Sequence, residues 1–319
     1  MSENTEKKEA KKLLKVSSNP HVRDGMNTRS IMLAVVIALM PATIFGIINF
    51  GYHAFLVVAT AVGFSVLAEF VMCKILKKPV SISDCSAIVT GLLLGLNLPP
   101  MFPLWMTAVG ACFAIVVVKM LFGGLGQNFM NPALGARCFL VISFAKYMTN
   151  FNCDAYTGAT PLAVLKSGGA VNIYDMVIGR TAGTIGETSM IAIILGACFL
   201  IALGIIDLRI PGMYILSFVI FILIFGKRGF DFNFVCAHLA GGGLMLGAFF
   251  MATDYVTRPI TKKGQYVYGI LLGILTGIFR IFGASAEGVS YAIILGNLLV
   301  PLIEKITLPK AFGKGGENS

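Results

Sequence analysis

The chain has 319 residues, of which 57% are hydrophobic and only 13% charged, whereas a soluble domain carries about 25% charged residues. With 36 glycines and a mean hydropathy of +0.85, this composition excludes an ordinary soluble enzyme and predicts an all-α polytopic protein of the lipid bilayer. The net charge of +10 indicates no nucleic-acid partner, because cytoplasmic loops of membrane proteins are rich in Lys and Arg.

The chain begins with a polar, basic tail and continues with an apolar run over 31–50. That run is too long for a signal-peptide core and lacks a small-residue cleavage site, so it is predicted to be the first transmembrane helix. Nine further apolar runs have roughly the 20 residues that a hydrocarbon core requires. They lie near 52–74, 81–98, 103–122, 132–149, 189–207, 211–226, 233–252, 265–282 and 288–304.

The distribution of basic residues fixes the predicted orientation of these ten helices. With the N-terminus inside, 19 of the 25 Lys and Arg residues fall on the cytoplasmic side, as the positive-inside rule demands. Both termini are therefore predicted to be cytoplasmic. The polar loop between the fifth and sixth helices is predicted to be extracytoplasmic.

An internal repeat divides the chain into two halves of five helices each. Gly91–Gly95 in the third predicted helix resembles Gly243–Gly247 in the eighth. Five helices per half require inverted topology, which is common in transporters. The predicted domains are the tail 1–29, a membrane repeat 30–149, the loop 150–188, a second repeat 189–304 and the tail 305–319.

The glycine spacing in these two helices permits close approach of neighbouring backbones. The third helix is followed by Asn97-Leu98-Pro99-Pro100 and is predicted to break before it crosses the membrane. Paired broken helices would frame a site at the membrane midplane or an ion path.

A cluster of small and polar residues, Asp154–Pro161, opens the polar loop. One interpretation is a tight turn, in which Gly158 supplies an unusual φ, the Thr hydroxyls bond the backbone and Pro161 begins a short helix. The alternative is a functional site, favoured by the position of the cluster on an outer loop directly after a membrane helix.

The residues Asp154, Thr157, Gly158, Ala159 and Thr160 match the motif D-x-x-S/T-G-A-T in full. In this motif and in its ten-helix host, the chain resembles the family of NqrB and RnfD. NqrB belongs to the sodium-translocating NADH:quinone reductase and RnfD to the Rnf complex, and the modest chain length favours the latter. The resemblance also covers 124–133, 251–254, Arg280 and 286–288.

The resemblance implies that a flavin transferase esterifies FMN through its phosphate to Thr160. Gly158 and Ala159 would leave room for the phosphate, Thr157 would complete the motif, and Asp154 would bind metal or orient the hydroxyl during attachment. It further implies ferredoxin:NAD⁺ electron transfer coupled to Na⁺ or H⁺ movement. The partners would be a second covalent-flavin subunit and iron–sulfur subunits. Because this chain has no Rossmann motif, we expect no complete active site in it.

A second flavin is implied on the cytoplasmic side. The glycines of 123–126, with Asn131 and Arg137, are predicted to shape a pocket there. The stretch lacks the Lys-Ser/Thr of a nucleotide-binding P-loop. The resemblance implies non-covalent riboflavin as the ligand.

Carboxylates near membrane depth are candidates for an ion path. Asp254 is the first of these, followed by Glu69 and Glu287. The alternative for each is an interfacial carboxylate or one paired with a nearby Lys or Arg, which for Asp254 would be Arg258.

The seven cysteines are scattered singly, so the spacing favours neither a disulfide framework nor iron–sulfur ligation by this chain. The competing function is a secondary transporter or channel without a redox cofactor. Inverted repeats, paired glycine-rich helices and intramembrane carboxylates are equally typical of that class.

Overall fold

The computed structural model describes residues 26–151, 158–226, 231–283 and 288–309. Within these ranges every regular element is a helix, which confirms the predicted all-α class. In the first half these elements are α1 (Thr28–Phe50), α2 (Tyr52–Ile75), a 3₁₀-helix (Ile82–Asp84), α3 (Ser86–Leu96), α4 (Leu104–Phe113), a first π-helix (Ala114–Met120), α5 (Pro132–Ser143) and α6 (Ala145–Met148).

The remaining helices belong to the polar loop and the second half. They are α7 (Pro161–Lys166), α8 (Ile173–Ile178), α9 (Met190–Ala202), α10 (Arg209–Phe225), α11 (Phe232–Ala240), α12 (Leu244–Leu246), a second π-helix (Gly247–Met251), α13 (Lys262–Ile281) and α14 (Val289–Thr307). The halves meet where α1 packs along α9, and within them α2 packs along α3 and α10 along α13.

The helices have the lengths and compositions of a polytopic membrane protein. Among the described residues α1, α2, α13 and α14 are each long and apolar enough to cross a bilayer, and α11 with α12 and the second π-helix forms a bent pair that passes the same test together. The five other predicted segments are shorter apolar helices of 10–17 residues. Large apolar side chains such as Ile48 and Ile142 project outward, 78% and 77% exposed, as lipid-facing residues do.

Two helices are broken, one in each half. α3 has 11 residues and is about 17 Å long, well short of a 30 Å hydrocarbon core, as predicted for the third segment. The second break bends the chain by 61° between α11 and α12, where Gly242 and Gly243 have φ of +66°. Arg280 donates hydrogen bonds to the carbonyl oxygens of Gly241 and Gly242, both at 2.9 Å, and to that of His238. Its guanidinium thus satisfies carbonyls that the break leaves unpaired.

The glycines of α3 allow its backbone to lie close to that of α2. A Cβ at Gly91 would lie 2.6 Å from Cα of Val62, and one at Gly95 would lie 3.0 Å from Cα of Val58. A larger side chain at either position would therefore push α3 off α2. The inverted relation of the two halves and the domain boundaries stay predictions.

The end of the polar loop folds back into the protein. The backbone N–H groups of Ile185 and Gly186 donate to the carbonyl oxygens of Leu98 and Leu96, at 3.1 and 2.8 Å. Residues 184 and 187–189 are buried. Residues 184–189, which we call the return segment, thus provide hydrogen-bond donors for carbonyl oxygens at and just beyond the end of the broken helix α3. This part of the loop is therefore packed inside the helix bundle.

Candidate functional site

Thr160 is the N-cap residue of α7. Its backbone is extended (φ −60°, ψ 150°), and Pro161 follows at the first helical position, where its missing N–H costs nothing. The predicted short helix after Pro161 is confirmed. The Thr160 side chain makes no capping hydrogen bond. Its hydroxyl therefore accepts no hydrogen bond from the backbone N–H groups at the start of α7.

The residues before Thr160 keep its surroundings open. Gly158 has φ of +146°, a conformation that favours glycine. Gly158 and Ala159 are exposed and Thr160 is partly buried. Both exposed residues line an open groove of about 460 Å³ on the loop side. Asp154 and Thr157 lie outside the described residues.

A cavity of about 230 Å³ lies on the other side of Thr160; we call it the outer cavity. Helix α5 and the start of α14 form its deeper walls, and the segment 158–160 forms its rim. Its lining includes Thr160, Arg137, Phe151, Ser290 and Tyr291. The cavity thus combines one cationic group with two aromatic rings beside the Thr160 backbone.

Arg137 is the charged group of the outer cavity. Its guanidinium is 6% exposed, donates hydrogen bonds from Nη1 to Ser290 Oγ at 2.7 Å and to Asn97 Oδ1 at 3.2 Å, and lies 3.5 Å from Oε1 of Glu187. The prediction that Arg137 shares a cytoplasmic pocket with Asn131 is wrong. Asn131 is the N-cap residue of α5 and Arg137 follows six positions later, about 9 Å along the helix axis; the two side chains line different cavities.

Glu187, Asn97 and Ser290 are members of this site that no sequence pattern singled out. Glu187 lies on the return segment, next to Gly243 at the second helix break, where a Cβ would overlap its carboxylate. Asn97 ends the broken helix α3. Asn97, at the end of one broken helix, accepts a hydrogen bond from the Arg137 guanidinium. Gly243, at the break in the other, lies against Glu187, which pairs with Arg137.

A second cavity, the inner cavity, has a volume of about 80 Å³ and lies toward the predicted cytoplasmic side. Asn131, Leu125 and Asn128 from the loop before α5 line it, together with Lys119 and Asp254. Of the stretch 123–126 only Leu125 lines this cavity and the three glycines do not, so a pocket shaped by these glycines stays a prediction. Asn128 is 7% exposed, and its Oδ1 has no hydrogen-bond partner among the described residues.

Asn131 also has a structural role. Its Oδ1 accepts hydrogen bonds from the N–H groups of Ala133 and Leu134, at 3.1 and 3.4 Å, and so caps α5. Its Nδ2 donates to the carbonyl oxygen of Met251 at 3.5 Å. The side chain thereby joins the start of α5 to the end of the second π-helix.

Asp254 lies just beyond the second π-helix and faces the inner cavity. Its carboxylate accepts hydrogen bonds from Val256 N–H and Thr257 Oγ1, at 3.4 and 3.3 Å. Burial raises the pKa of this carboxyl, while those two hydrogen bonds and the charge of Arg258 oppose the rise. The Arg258 guanidinium stacks over the Tyr255 ring, 4.4 Å from its centre, and forms no ion pair with Asp254 within 4.0 Å among the described residues.

The other two candidate carboxylates have different outcomes. Glu69 is fully buried and forms an ion pair with Lys119, with 2.7 Å between Oε2 and Nζ, as the alternative interpretation of a paired carboxylate requires. Lys119 was missed as its partner, although both charges fall inside apolar runs, where charged residues are rare. Glu287 lies outside the described residues.

Comparison with known proteins agrees with this architecture. The profile of the NQR2, RnfD, RnfE family matches residues 15–313. A similar relative is the D subunit of the Na⁺-translocating ferredoxin:NAD⁺ oxidoreductase complex of Acetobacterium woodii, 46% identical over 94% of this chain and 95% of the relative.

Two further relatives carry related names. The D subunit of the proton-translocating ferredoxin:NAD⁺ oxidoreductase complex of Clostridium ljungdahlii is 41% identical, over 95% of this chain and 97% of its own length. The D subunit of the ion-translocating oxidoreductase complex of Actinobacillus succinogenes is 34% identical, over 95% and 99%. The chain therefore belongs to the NQR2, RnfD, RnfE family, and its relatives are D subunits of ion-translocating oxidoreductase complexes.

Proposed function

We propose that this chain is the membrane subunit of an Rnf-type complex and carries electrons through FMN esterified to Thr160. The complex would couple ferredoxin:NAD⁺ electron transfer to Na⁺ or H⁺ movement. The observation that carries the proposal is the Thr160 hydroxyl, which is not used for capping and borders a cavity containing a buried arginine.

The residues around Thr160 fit a phosphate-linked flavin. The positive φ of Gly158 and the small side chain of Ala159 leave the loop side of the threonine open, which gives a transferase access to the hydroxyl. Arg137 supplies N–H donors in a fixed plane, which suits recognition of phosphate or of another anionic group. Phe151 and Tyr291 supply aromatic surface for a planar ring.

The chemistry divides between cofactor and protein. When bound, the flavin supplies one- and two-electron transfer. Thr160 prevents its loss from the outer face of the membrane. Arg137, held by Ser290, Asn97 and Glu187, provides fixed positive charge on the inward side. Asp154 would bind metal or orient the Thr160 hydroxyl during attachment by the flavin transferase.

We assign the non-covalent riboflavin to the inner cavity, with Asn131 but without Arg137. This cavity of about 80 Å³ would have to widen to hold the ligand, because cofactor pockets have volumes of about 300–1,000 Å³. The Asn128 Oδ1, which lacks a partner among the described residues, supports a ligand there, because a buried acceptor without a partner costs about 1–3 kcal/mol. Asn131 and Arg137, which line the inner and outer cavities respectively, are six residues apart along the chain. The residues that would hold the two flavins are therefore joined through α5.

The remaining redox centres would belong to partner subunits. A second covalent-flavin subunit on the outer face would deliver electrons to this chain, and iron–sulfur subunits would bind ferredoxin and serve the nicotinamide reaction. The host would be a bacterial cytoplasmic membrane, with both chain termini in the cytoplasm and the Thr160 loop outside.

Thr160→Ala is expected to abolish covalent flavin, because it removes the only oxygen through which the ester can form at this position. The measurement is ultraviolet fluorescence of the denatured chain in a gel, from cells that contain the flavin transferase. Thr160→Ser, which keeps a hydroxyl, is expected to retain fluorescence.

Thr181→Ala is a matched control, since Thr181 lines the neighbouring groove but lies outside the motif. Its band should stay fluorescent. A dark wild-type band would refute the flavin proposal and favour the transporter or channel, a class in which broken helices are also common. A fluorescent Thr160→Ala band would place the attachment elsewhere.

Asp254→Ala is expected to raise the Na⁺ concentration needed for half-maximal electron transfer in membrane vesicles, if Asp254 lies on the ion path. Asp254→Asn should share the effect, because it preserves side-chain volume and removes only the charge. Asp207→Asn, at an exposed acid on the same side, should leave the Na⁺ response unchanged. Should both Asp254 variants respond like wild type, Asp254 is a structural carboxylate.

A further inference from the structure

A buried cluster of charged and hydroxyl groups lies in the first half, apart from the Thr160 site. Glu69 on α2 is 0% exposed and Lys119 on the first π-helix is 2% exposed, and their Oε2 and Nζ atoms are 2.7 Å apart. The same ammonium donates a hydrogen bond to Ser86 Oγ at 2.6 Å. The pair is therefore shielded from water and tightly held.

Two more oxygens complete the cluster. Ser81 Oγ donates to Oε1 of Glu69 at 2.5 Å, and Ser86 Oγ donates to Oδ1 of Asp84 at 2.6 Å. One carboxylate oxygen and one hydroxyl oxygen thus contact the ammonium group directly, and Ser81 and Asp84 hold these two ligands in place. Such oxygen ligands suit a small hard cation, and here the position of that cation is filled by Lys119 Nζ.

Stability alone does not account for this arrangement. A buried ion pair is often no more stabilising than an apolar pair of the same size, and ionisable groups at membrane depth usually mark ion or proton paths. Lys119 also lies in a π-helix, a distortion that occurs frequently at functional sites. Ser81 and Asp84 are only partly buried, which connects the cluster to the predicted cytoplasmic side.

The cluster shares a wall with the inner cavity. Lys119 and Ser86 both line that cavity, as does Asn128, whose buried Oδ1 lacks a partner among the described residues. The Lys119 ammonium therefore lies between the Glu69 carboxylate and a space suited to a polar ligand. A negative charge placed in the inner cavity competes with Glu69 for this ammonium, because Coulomb attraction is strong at such short range in a poorly solvated interior.

We propose that Glu69 and Ser86, held in place by Ser81 and Asp84, form a monovalent-cation site that Lys119 occupies as a tethered cation. The negative charge of one electron, delivered by redox centres of the partner subunits to riboflavin bound in the inner cavity, would draw Lys119 Nζ toward the cavity, and one Na⁺ or one proton would then take its place at Glu69. One negative charge is thereby matched by one cation. This inference rests on the proposed ion translocation by the complex and on the proposed riboflavin in the inner cavity, and it is independent of flavin attachment at Thr160.

The test uses the purified complex with Lys119→Met, in which the site has lost its tethered cation. Thermal unfolding is measured in NaCl and in choline chloride, each at acidic and at alkaline pH. The titratable groups that face Glu69 are Lys119 and, through Ser86, Asp84; Cys73 lies 3.6 Å from Ser81. If the site takes Na⁺, NaCl should stabilise Lys119→Met more than wild type. If it takes a proton, acidification should stabilise it instead, because protonation removes the uncompensated charge.

Glu69→Gln/Lys119→Met shows whether these responses depend on the Glu69 carboxylate, and the ions moved per NADH formed separate a cation site from a merely structural ion pair. This neutral double variant should respond to neither Na⁺ nor acid. The proposal is overturned if Lys119→Met responds to neither condition, or if the double variant responds as strongly.

A second measurement covers the case in which Lys119→Met does not assemble. In vesicles that contain Glu69→Gln/Lys119→Met, the ions moved per NADH formed should fall about fivefold or more, the lower end of ordinary coupling between sites. Asp207→Asn/Arg209→Gln removes an exposed pair with 3.2 Å between its charged atoms and should leave that ratio unchanged. An unaltered ratio in the Glu69/Lys119 variant overturns the proposal, whereas loss of fluorescence at Thr160 has no bearing on it.

Discussion

Arg137→Met is expected to lower the free energy of unfolding by about 3–5 kcal/mol, since it leaves the buried Glu187 carboxylate without its cation. The two side chains are each 6% exposed, with 3.5 Å between Arg137 Nη1 and Glu187 Oε1. Water therefore solvates neither charge. Glu187 would then have to shift away from Gly243 or take up a proton. Size-exclusion chromatography of the chain after graded heating measures the loss.

Arg137→Met/Glu187→Gln should recover most of that stability, because replacing both partners removes the unpaired charge. Asp207→Asn, which breaks an ion pair that is 29% and 57% exposed, should cost less than about 1 kcal/mol. If the double variant is as unstable as the single one, Arg137 acts through Asn97 and Ser290 instead of Glu187.

The same variants also test the position of Arg137 relative to the flavin. Covalent fluorescence should persist in Arg137→Met, because the Thr160 hydroxyl is unchanged. The midpoint potential of the attached flavin should fall, since a nearby cation favours the reduced, more negative cofactor. An unchanged midpoint potential would show that the charge of Arg137 does not act on the flavin.

Gly243→Ala is expected to destabilise the second helix break by about 2 kcal/mol or more. A residue with a Cβ costs about 1–2 kcal/mol in the left-handed conformation, which Gly243 adopts with φ of +66°. Its Cβ would also overlap the Glu187 carboxylate, so the Arg137–Glu187 pair would have to move. Thermal unfolding and flavin content of the purified complex measure the effect.

Two glycines serve as matched controls for this substitution. Gly204 has φ of +70° and open space where a Cβ would lie, so Gly204→Ala reports backbone strain alone. Gly212 in α10 has neither strain nor a close neighbour, and Gly212→Ala should be neutral or stabilising by up to about 1 kcal/mol. Equal losses for Gly243→Ala and Gly204→Ala would show that contact with Glu187 is unimportant.

The apolar segments and the short helix after Thr160 could be predicted from sequence because each depends on local properties. Hydropathy over roughly 20 residues identifies a membrane segment, and Pro161 after Thr160 identifies a helix start. The break in the third segment was likewise indicated by Pro99 and Pro100.

The partners of the charged groups could not be predicted, because they depend on helix rotation and on the return of the loop. Asn131 caps the helix that carries Arg137, yet the two residues line different cavities. The sequence places Glu187 in a polar loop. In the structure, hydrogen bonds from the backbone N–H groups of Ile185 and Gly186 to the segment 96–98 hold this part of the loop inside the protein, where Glu187 is buried. The pairing of Glu69 with Lys119 spans 50 positions, which no local pattern encodes.

The most direct test of flavin attachment at Thr160 is mass spectrometry of the tryptic peptide 147–166, which contains Thr149, Thr157 and Thr160. We predict that this peptide, from cells with the flavin transferase, is heavier by FMN less one water. Fragmentation should place the added mass on Thr160. An unmodified peptide, or a flavin on Thr157 or Thr149, would contradict the attachment.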